Sequence, residues 1–183
     1  MFNRSEHITY YKHCLQGLPG DYIELDTQRI VLLYFCVLGL DVLGGLSDLT
    51  HEEKNNIIGF VTNNKLKIEF NGVCTQGFVG SPFLGPVSSY VSTDGDYVNN
   101  NTAVYIHHHL AMTYSALGIM AALEHPVPQT MVDDIMRNIP LCQTEDGSFS
   151  ISPNASECDM RFVYCACVIT SMIKGGELGF EYN

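Results

Sequence analysis

The chain has no excess of positive charge. Nine Lys and Arg stand against 20 Asp and Glu, for a formal net charge of -11 over 183 residues. That balance excludes a non-specific nucleic-acid binder, which needs a basic face. It also excludes an electrostatic hold on an anionic membrane, while permitting a basic protein partner or substrate. Also absent is any run of about 18 apolar residues, so no membrane span is expected. The first residues, Met1-Phe2-Asn3-Arg4-Ser5-Glu6-His7, hold no apolar core of the kind a secretory signal requires. Neither a P-loop, nor a dinucleotide fingerprint, nor a Ser-His-Asp order occurs.

Apolar residues are what the chain does have. Hydrophobics make up 46% and charged residues 16%, globular values on the apolar side. The length suffices for one sizeable core, and no domain boundary is visible, so residues 1–183 are read as a single domain. Seven cysteines is an odd number, and Cys36, Cys165 and Cys167 sit in apolar segments. This fits reduced core thiols in a cytoplasmic protein better than a disulfide framework. The sequons at Asn100 and Asn154 are then silent.

Helical patterning dominates. Residues 8–16 predict a short helix with Tyr10, Tyr11, Cys14 and Leu15 inward, ended by Pro19-Gly20. Residues 26–43 predict the clearest helix, capped by Asp26 or Thr27. Its run from Ile30 to Leu43 is almost wholly apolar, which predicts burial on all sides, and Gly44-Gly45 stops it. Thr50 and Glu53 have capping-box spacing for a helix to about Asn63. Residues 64–104 show no helical period. They carry turn signals around Gly77-Phe78-Val79-Gly80-Ser81-Pro82 and Gly85-Pro86, and the polar stretch 91–101 reads as a mobile surface loop. A helix is expected from about Leu110 to Leu123, broken by Pro126 and Pro128. Thr130 and Asp133 form a third capping pair for a helix to about Asn138. Gln143 to Phe149 reads as a tight glycine turn.

Ser156 and Asp159 are again a capping-box distance apart and open the last helix. Arg161, Tyr164 and Val168 share one of its faces. No charge follows until Lys174, so the helix is expected to be largely buried. An arginine there needs an anionic partner or several acceptors. A structural salt bridge or a pocket wall facing an anionic ligand would each supply one. The fold class is therefore all-α, built of helices in pairs. Gln76-Gly77-Phe78 and Gln143 with Gly147 and Phe149 repeat a crude signature, consistent with stacked helix-loop-helix units and an unfinished edge.

His107-His108-His109 is poor metal geometry, because neighbours at i, i+1 and i+2 on a helix do not face together. Cys165 and Cys167 diverge in the same way. His109, at the mouth of an apolar helix, remains a candidate ligand contact. Spacing alone leads to an all-α domain with an apolar pocket.

Asp159-Met160-Arg161-Phe162-Val163-Tyr164-Cys165-Ala166, preceded by Gln143-x-Glu145-Asp146-Gly147-Ser148-Phe149, resembles the β subunits of protein prenyltransferases. Cys14-Leu15-Gln16 with Leu18-Pro19, Arg29 through Leu43, and His109 through Tyr114 match in the same order. Phe162-Val163 after the arginine is similar to the geranylgeranyltransferase type I form. The resemblance implies an α-α barrel, here an incomplete half-barrel, wrapped by an α subunit. It implies transfer of a C20 group from geranylgeranyl diphosphate to the cysteine of a C-terminal Cys-aliphatic-aliphatic-X motif, X usually Leu. Zinc in the full-length enzymes binds that thiol and lowers its pKa.

By the same resemblance Val31, Tyr114, Arg161 and Tyr164 would line the isoprenoid pocket. Phe35, His109, Ala111 and Phe162 would surround the end of the peptide. Farnesyltransferases carry tryptophan at the position of Val31, and type I enzymes threonine, so valine leaves room for a fourth isoprene unit. The family's zinc ligands, an Asp-x-Cys pair and a later His, and its diphosphate-holding clusters are not found before Asn183. The chain is therefore expected to be the N-terminal half of such a subunit, without metal or catalytic residues of its own. The alternatives are a non-catalytic module that binds the α subunit or a prenyl chain, and the first half of a terpene-cyclase-like barrel. Intact mass spectrometry of the polypeptide from its own cell is expected to give close to twice the 20.3 kDa of this chain; a value near 20.3 kDa would move the binding-module reading to first place.

Overall fold

The computed structural model describes residues 2–82, 107–153 and 155–175. The protein is mostly helical. Helix α1 spans Arg4–Gln16, with Asn3 as its cap accepting from the Glu6 N–H. It starts a turn earlier than the 8–16 expectation because of that cap. Ile8, Tyr11 and Leu15 pack on the core, while Tyr10 turns outward. A 3-10 segment, Gly20–Gln28, leads into α2, Arg29–Val42. Neither Asp26 nor Thr27 caps α2. The Asp26 carboxylate instead accepts from the Arg29 guanidinium at 2.9 and 2.7 Å. Nor is α2 buried on all sides: Ile30, Val37 and Leu40 are, but Phe35 is 60% exposed and Val42 84%.

Helix α3, His51–Asn63, opens on the expected capping box. The Thr50 N–H donates to Glu53 Oε2 at 2.7 Å and the Glu53 N–H to Thr50 Oγ1 at 3.2 Å. A β-hairpin follows: β1, Lys65–Phe70, pairs antiparallel with β2, Val73–Phe78, in the register Lys65↔Phe78 to Phe70↔Val73. The all-α pattern thus has one β addition. Its turn is Asn71-Gly72, both with positive φ (49° and 77°), the backbone a two-residue hairpin turn needs. Gln76-Gly77-Phe78 therefore lies in a strand and not in a loop after a helix. The expected mobile loop 91–101 lies outside the described residues.

Helix α4, Leu110–Ala122, matches expectation and is buried almost all round. Helix α5, Gln129–Leu141, starts directly after Pro128, whose fixed φ suits a helix entrance, so Thr130 and Asp133 do not cap it. Helix α6, Met160–Lys174, is capped by Asp159, whose carboxylate accepts from the Arg161 N–H at 2.7 Å. Ser156 has no part in that cap.

The helices pack in pairs. α2, α4 and α6 stand in a row with α4 in the middle, and α1, α3 and α5 each pack against one of them. The end of β2 threads between two helix starts. The Phe78 carbonyl accepts from the His109 N–H at 3.0 Å, and the Gly80 carbonyl accepts from the Ile30 N–H at 3.0 Å. The Phe78 N–H donates to Thr113 Oγ1 at 3.1 Å. The glycine turn at Gln143–Phe149 is knotted around Asp146, which accepts from Thr144 and Ser148, and it presents the Ile151 carbonyl to the Leu110 N–H at 2.8 Å.

An ionic clamp holds the hairpin to α5. Asp134, 5% exposed at its side chain, takes Lys67 of β1 at 2.8 Å and is also bridged by Arg137. The Arg137 Nε–H donates to the Cys74 carbonyl of β2 at 3.0 Å. Asp134→Ala leaves two cations facing each other. Its expected cost in urea unfolding is about 2 kcal/mol, less than for a fully buried pair because both cations reach solvent.

His108 is fully buried, with Nε2 at 3.0 Å from Thr75 Oγ1. Burial, and then the neighbouring His107, push its pKa from 6.5 down to about 4. The unfolded chain therefore binds a proton that the fold refuses. Stability is expected to be complete above pH 6.5 and to fall as pH drops toward 4. His107 and His109, also lowered by burial, act in the same direction. Thermal melts across that window check the slope, which His108→Gln should flatten.

Candidate functional site

Three helices of one row bring their aromatic residues to one side. On α2, Val31, Tyr34 and Phe35 are neighbours at i, i+3 and i+4; on α4, Ala111 and Tyr114; on α6, Arg161 and Tyr164. The Tyr34 ring tilts against Tyr114 with centroids 5.1 Å apart, and Tyr114 meets Tyr164 edge to face at 5.6 Å. Phe35 extends the row, 5.6 Å from Tyr34. The hydroxyls are linked as well: Tyr34 to Tyr114, and Tyr114 to Tyr164 at 3.4 Å. Burial, followed by the hydrogen bonds to Tyr164 and Tyr34, raises the Tyr114 pKa well above its ordinary value. The phenol stays protonated and orients its neighbours. Close packing of α2 on α4 depends on Gly118, where an added Cβ would lie 2.7 Å from Tyr34 Cε2.

A second cluster adjoins the first at the start of α4. His109 Nδ1 accepts from the Ala111 N–H at 3.0 Å, so this histidine is the helix cap. Its ring meets Phe162 edge to face at 5.6 Å, and the Arg161 guanidinium carbon lies 5.8 Å from the Phe162 centroid. Phe162 itself is 5% exposed.

Of the expected lipid-pocket residues, Tyr114 and Tyr164 are in direct contact. Val31 is half-buried on the same face of α2 one turn before Tyr34. Arg161 is not buried: its side chain is 74% exposed and pairs with Asp159 at 2.9 Å. The buried side of α6 is Phe162, Cys165, Ala166, Ile169, Met172 and Ile173, and the Arg161–Tyr164 side is the open one. Of the expected peptide-contact residues, His109 and Phe162 touch, Ala111 accompanies His109, and Phe35 stands apart beside Tyr34. Tyr34 was absent from the expected set, though the i, i+3 rule applied from Val31 points to it.

Two of the three histidines have separate tasks. His109 Nδ1 serves the cap and His108 Nε2 meets Thr75. Among the described residues no three His, Cys, Asp or Glu side chains are gathered as a metal centre. These residues do not fit the zinc that the resemblance implies for the full-length enzymes. What the arrangement can do is hold an apolar chain along tyrosine and phenylalanine rings, with one guanidinium at its end.

The family model of the prenyltransferase α-α toroid domain matches residues 2–180. The geranylgeranyl transferase type-1 subunit β of Arabidopsis thaliana is 30% identical over 180 residues, covering 94% of this chain and 44% of the relative. The protein of the same name from Dictyostelium discoideum is 27% identical over 183 residues, covering 93% and 49%. Among solved structures, Candida albicans protein geranylgeranyltransferase-I complexed with GGPP matches with a TM-score of 0.72 and 21% identity, over 95% of this chain and 47% of that one. The chain thus spans less than half the length of these relatives, and the structural match speaks to the fold.

Proposed function

Because the chain belongs to the prenyltransferase α-α toroid family, we propose that it forms the lipid-pocket wall and part of the peptide pocket of a geranylgeranyltransferase type I β subunit. The complete subunit, in a heterodimer with an α subunit, transfers a C20 geranylgeranyl group from geranylgeranyl diphosphate. The acceptor is the cysteine of a C-terminal Cys-aliphatic-aliphatic-X motif, X usually Leu. Zinc in this reading belongs to the complete subunit, not to the residues described above.

One observation supports the reading most: the linked row Tyr34–Tyr114–Tyr164 across three helices, with the small Val31 beside it. Rings in such a row offer dispersion contact along an isoprenoid chain at little cost in side-chain freedom. Val31, Tyr114, Arg161 and Tyr164 contact the lipid, and Tyr34 joins them. Phe35, His109, Ala111 and Phe162 lie toward the peptide end. Arg161 supplies a charge that an anionic substrate group can meet without first breaking a buried pair.

Val31→Trp, in the complete subunit with its α subunit, should shift the kcat/KM ratio from the C20 toward the C15 donor by about tenfold or more, measured with both diphosphates. An unchanged ratio would remove the steric role of Val31. Arg161→Ala in the same assay should keep its melting temperature, because the Asp159 pair is exposed, and lose substrate binding or turnover. A variant that no longer folds would return Arg161 to a structural role.

A further inference from the structure

Two cysteines face each other across the first helix pair. α1 and α2 run antiparallel, as three contacts show. Arg4 Nε donates to the Leu43 carbonyl at 2.6 Å. A Cβ on Gly45 would lie 3.1 Å from Ile8, and one on Gly39 would lie 2.6 Å from Cζ of Tyr11. Three residues onward from Tyr11 and three back from Gly39 are Cys14 and Cys36. Both are half-buried free thiols. Both line one open cavity of about 640 Å³, between the end of α1, the 3-10 segment, α2 and α3. Its remaining wall is mostly apolar, with Leu15, Leu18, Leu33, Ile57 and Phe60. The thiols sense each other: burial pushes Cys36 up to about 11, with Cys14 adding to the rise.

We propose that Cys14 and Cys36 are a modification site, a reversible disulfide pair closed by hydrogen peroxide and reopened by a small thiol, which locks α1 onto α2 at the wall of this cavity. Cys36, held protonated by burial, acts second. The Cys14 thiolate attacks one peroxide oxygen, the O–O bond breaks, and the departing hydroxide takes a proton to become water. Cys14 is then a sulfenic acid. The Cys36 sulfur attacks the Cys14 sulfur and the S–O bond breaks. The released hydroxide leaves as water with the proton of Cys36. Two thiols have lost two electrons and two protons, and both peroxide oxygens have left as water. Opening is thiol–disulfide exchange, two equivalents of the small thiol being oxidised to its own disulfide. The bond matters here because α1, alone among the described α-helices, has no fully buried residue, so it is the helix least held by the core.

The test uses the native protein with whatever subunits it carries. Hydrogen peroxide is raised until the exposed Cys158 and Cys167 are oxidised, remaining thiols are blocked, and the protein is cut with trypsin. The peptides His13–Arg29 and Ile30–Lys54 each hold one cysteine. They should emerge joined, lighter by two hydrogens, and separate on reduction. Cys36→Ser should instead leave a sulfenic acid on Cys14 that dimedone captures. Oxidised Cys158 and Cys167 beside unjoined Cys14 and Cys36 peptides, or Cys14 joined elsewhere, would overturn the proposal.

Discussion

The structure turns on the N-terminus of α4. A helix leaves its first N–H groups without internal partners, and α4 starts in the interior, where water does not supply them. The acceptors come from three separate places. His109 caps Ala111 with its own ring, the Ile151 carbonyl takes Leu110, and the Phe78 carbonyl takes His109 just ahead of the helix. Each acceptor commits a stretch of chain. Phe78 brings the end of the hairpin, and Ile151 brings the glycine turn knotted around Asp146. Placing one helix start thus positions β2 and the loop before α6.

The aromatic surface follows from that placement. The residues that serve α4 also serve α2, because Gly80, two positions after Phe78, accepts from the Ile30 N–H. With both helix starts pinned to the same few residues, their axial offset is set. Tyr34 then falls against Tyr114 and the backbone at Gly118. Tyr164 completes the row once Asp159 has started α6. The row is left open: Phe35 and Tyr164 are 60% and 56% exposed.

Local signals in the sequence were reliable where the physics is local. The Thr50–Glu53 box formed as expected, because both partners lie within one turn. The hairpin is equally local in origin. Lys65 to Phe70 alternates polar and apolar residues and runs into Asn71-Gly72, a period of two that leaves no trace in the 3.6-residue helical pattern. Equal spacing also misled. Thr130–Asp133 and Ser156–Asp159 have the separation of capping pairs, yet Pro128 and Asp159 start those helices, since several residues near a helix start compete and the backbone entry angle chooses among them.

The sequence by itself determined a helical domain with a large apolar content, the position of most helices, and the residue types along α2, α4 and α6 that carry the family resemblance. Those follow from composition, propensity and neighbours within four residues. Which face of each helix meets protein was decided only by tertiary structure. Arg161 and Tyr164 looked buried because the run around them is apolar, yet they lie on the open side, and α2 looked buried all round yet exposes Phe35. Apolar character says that a side chain gains from leaving water. It does not say which neighbour covers it, and that depends on contacts between residues far apart in the chain, such as Phe78 with His109.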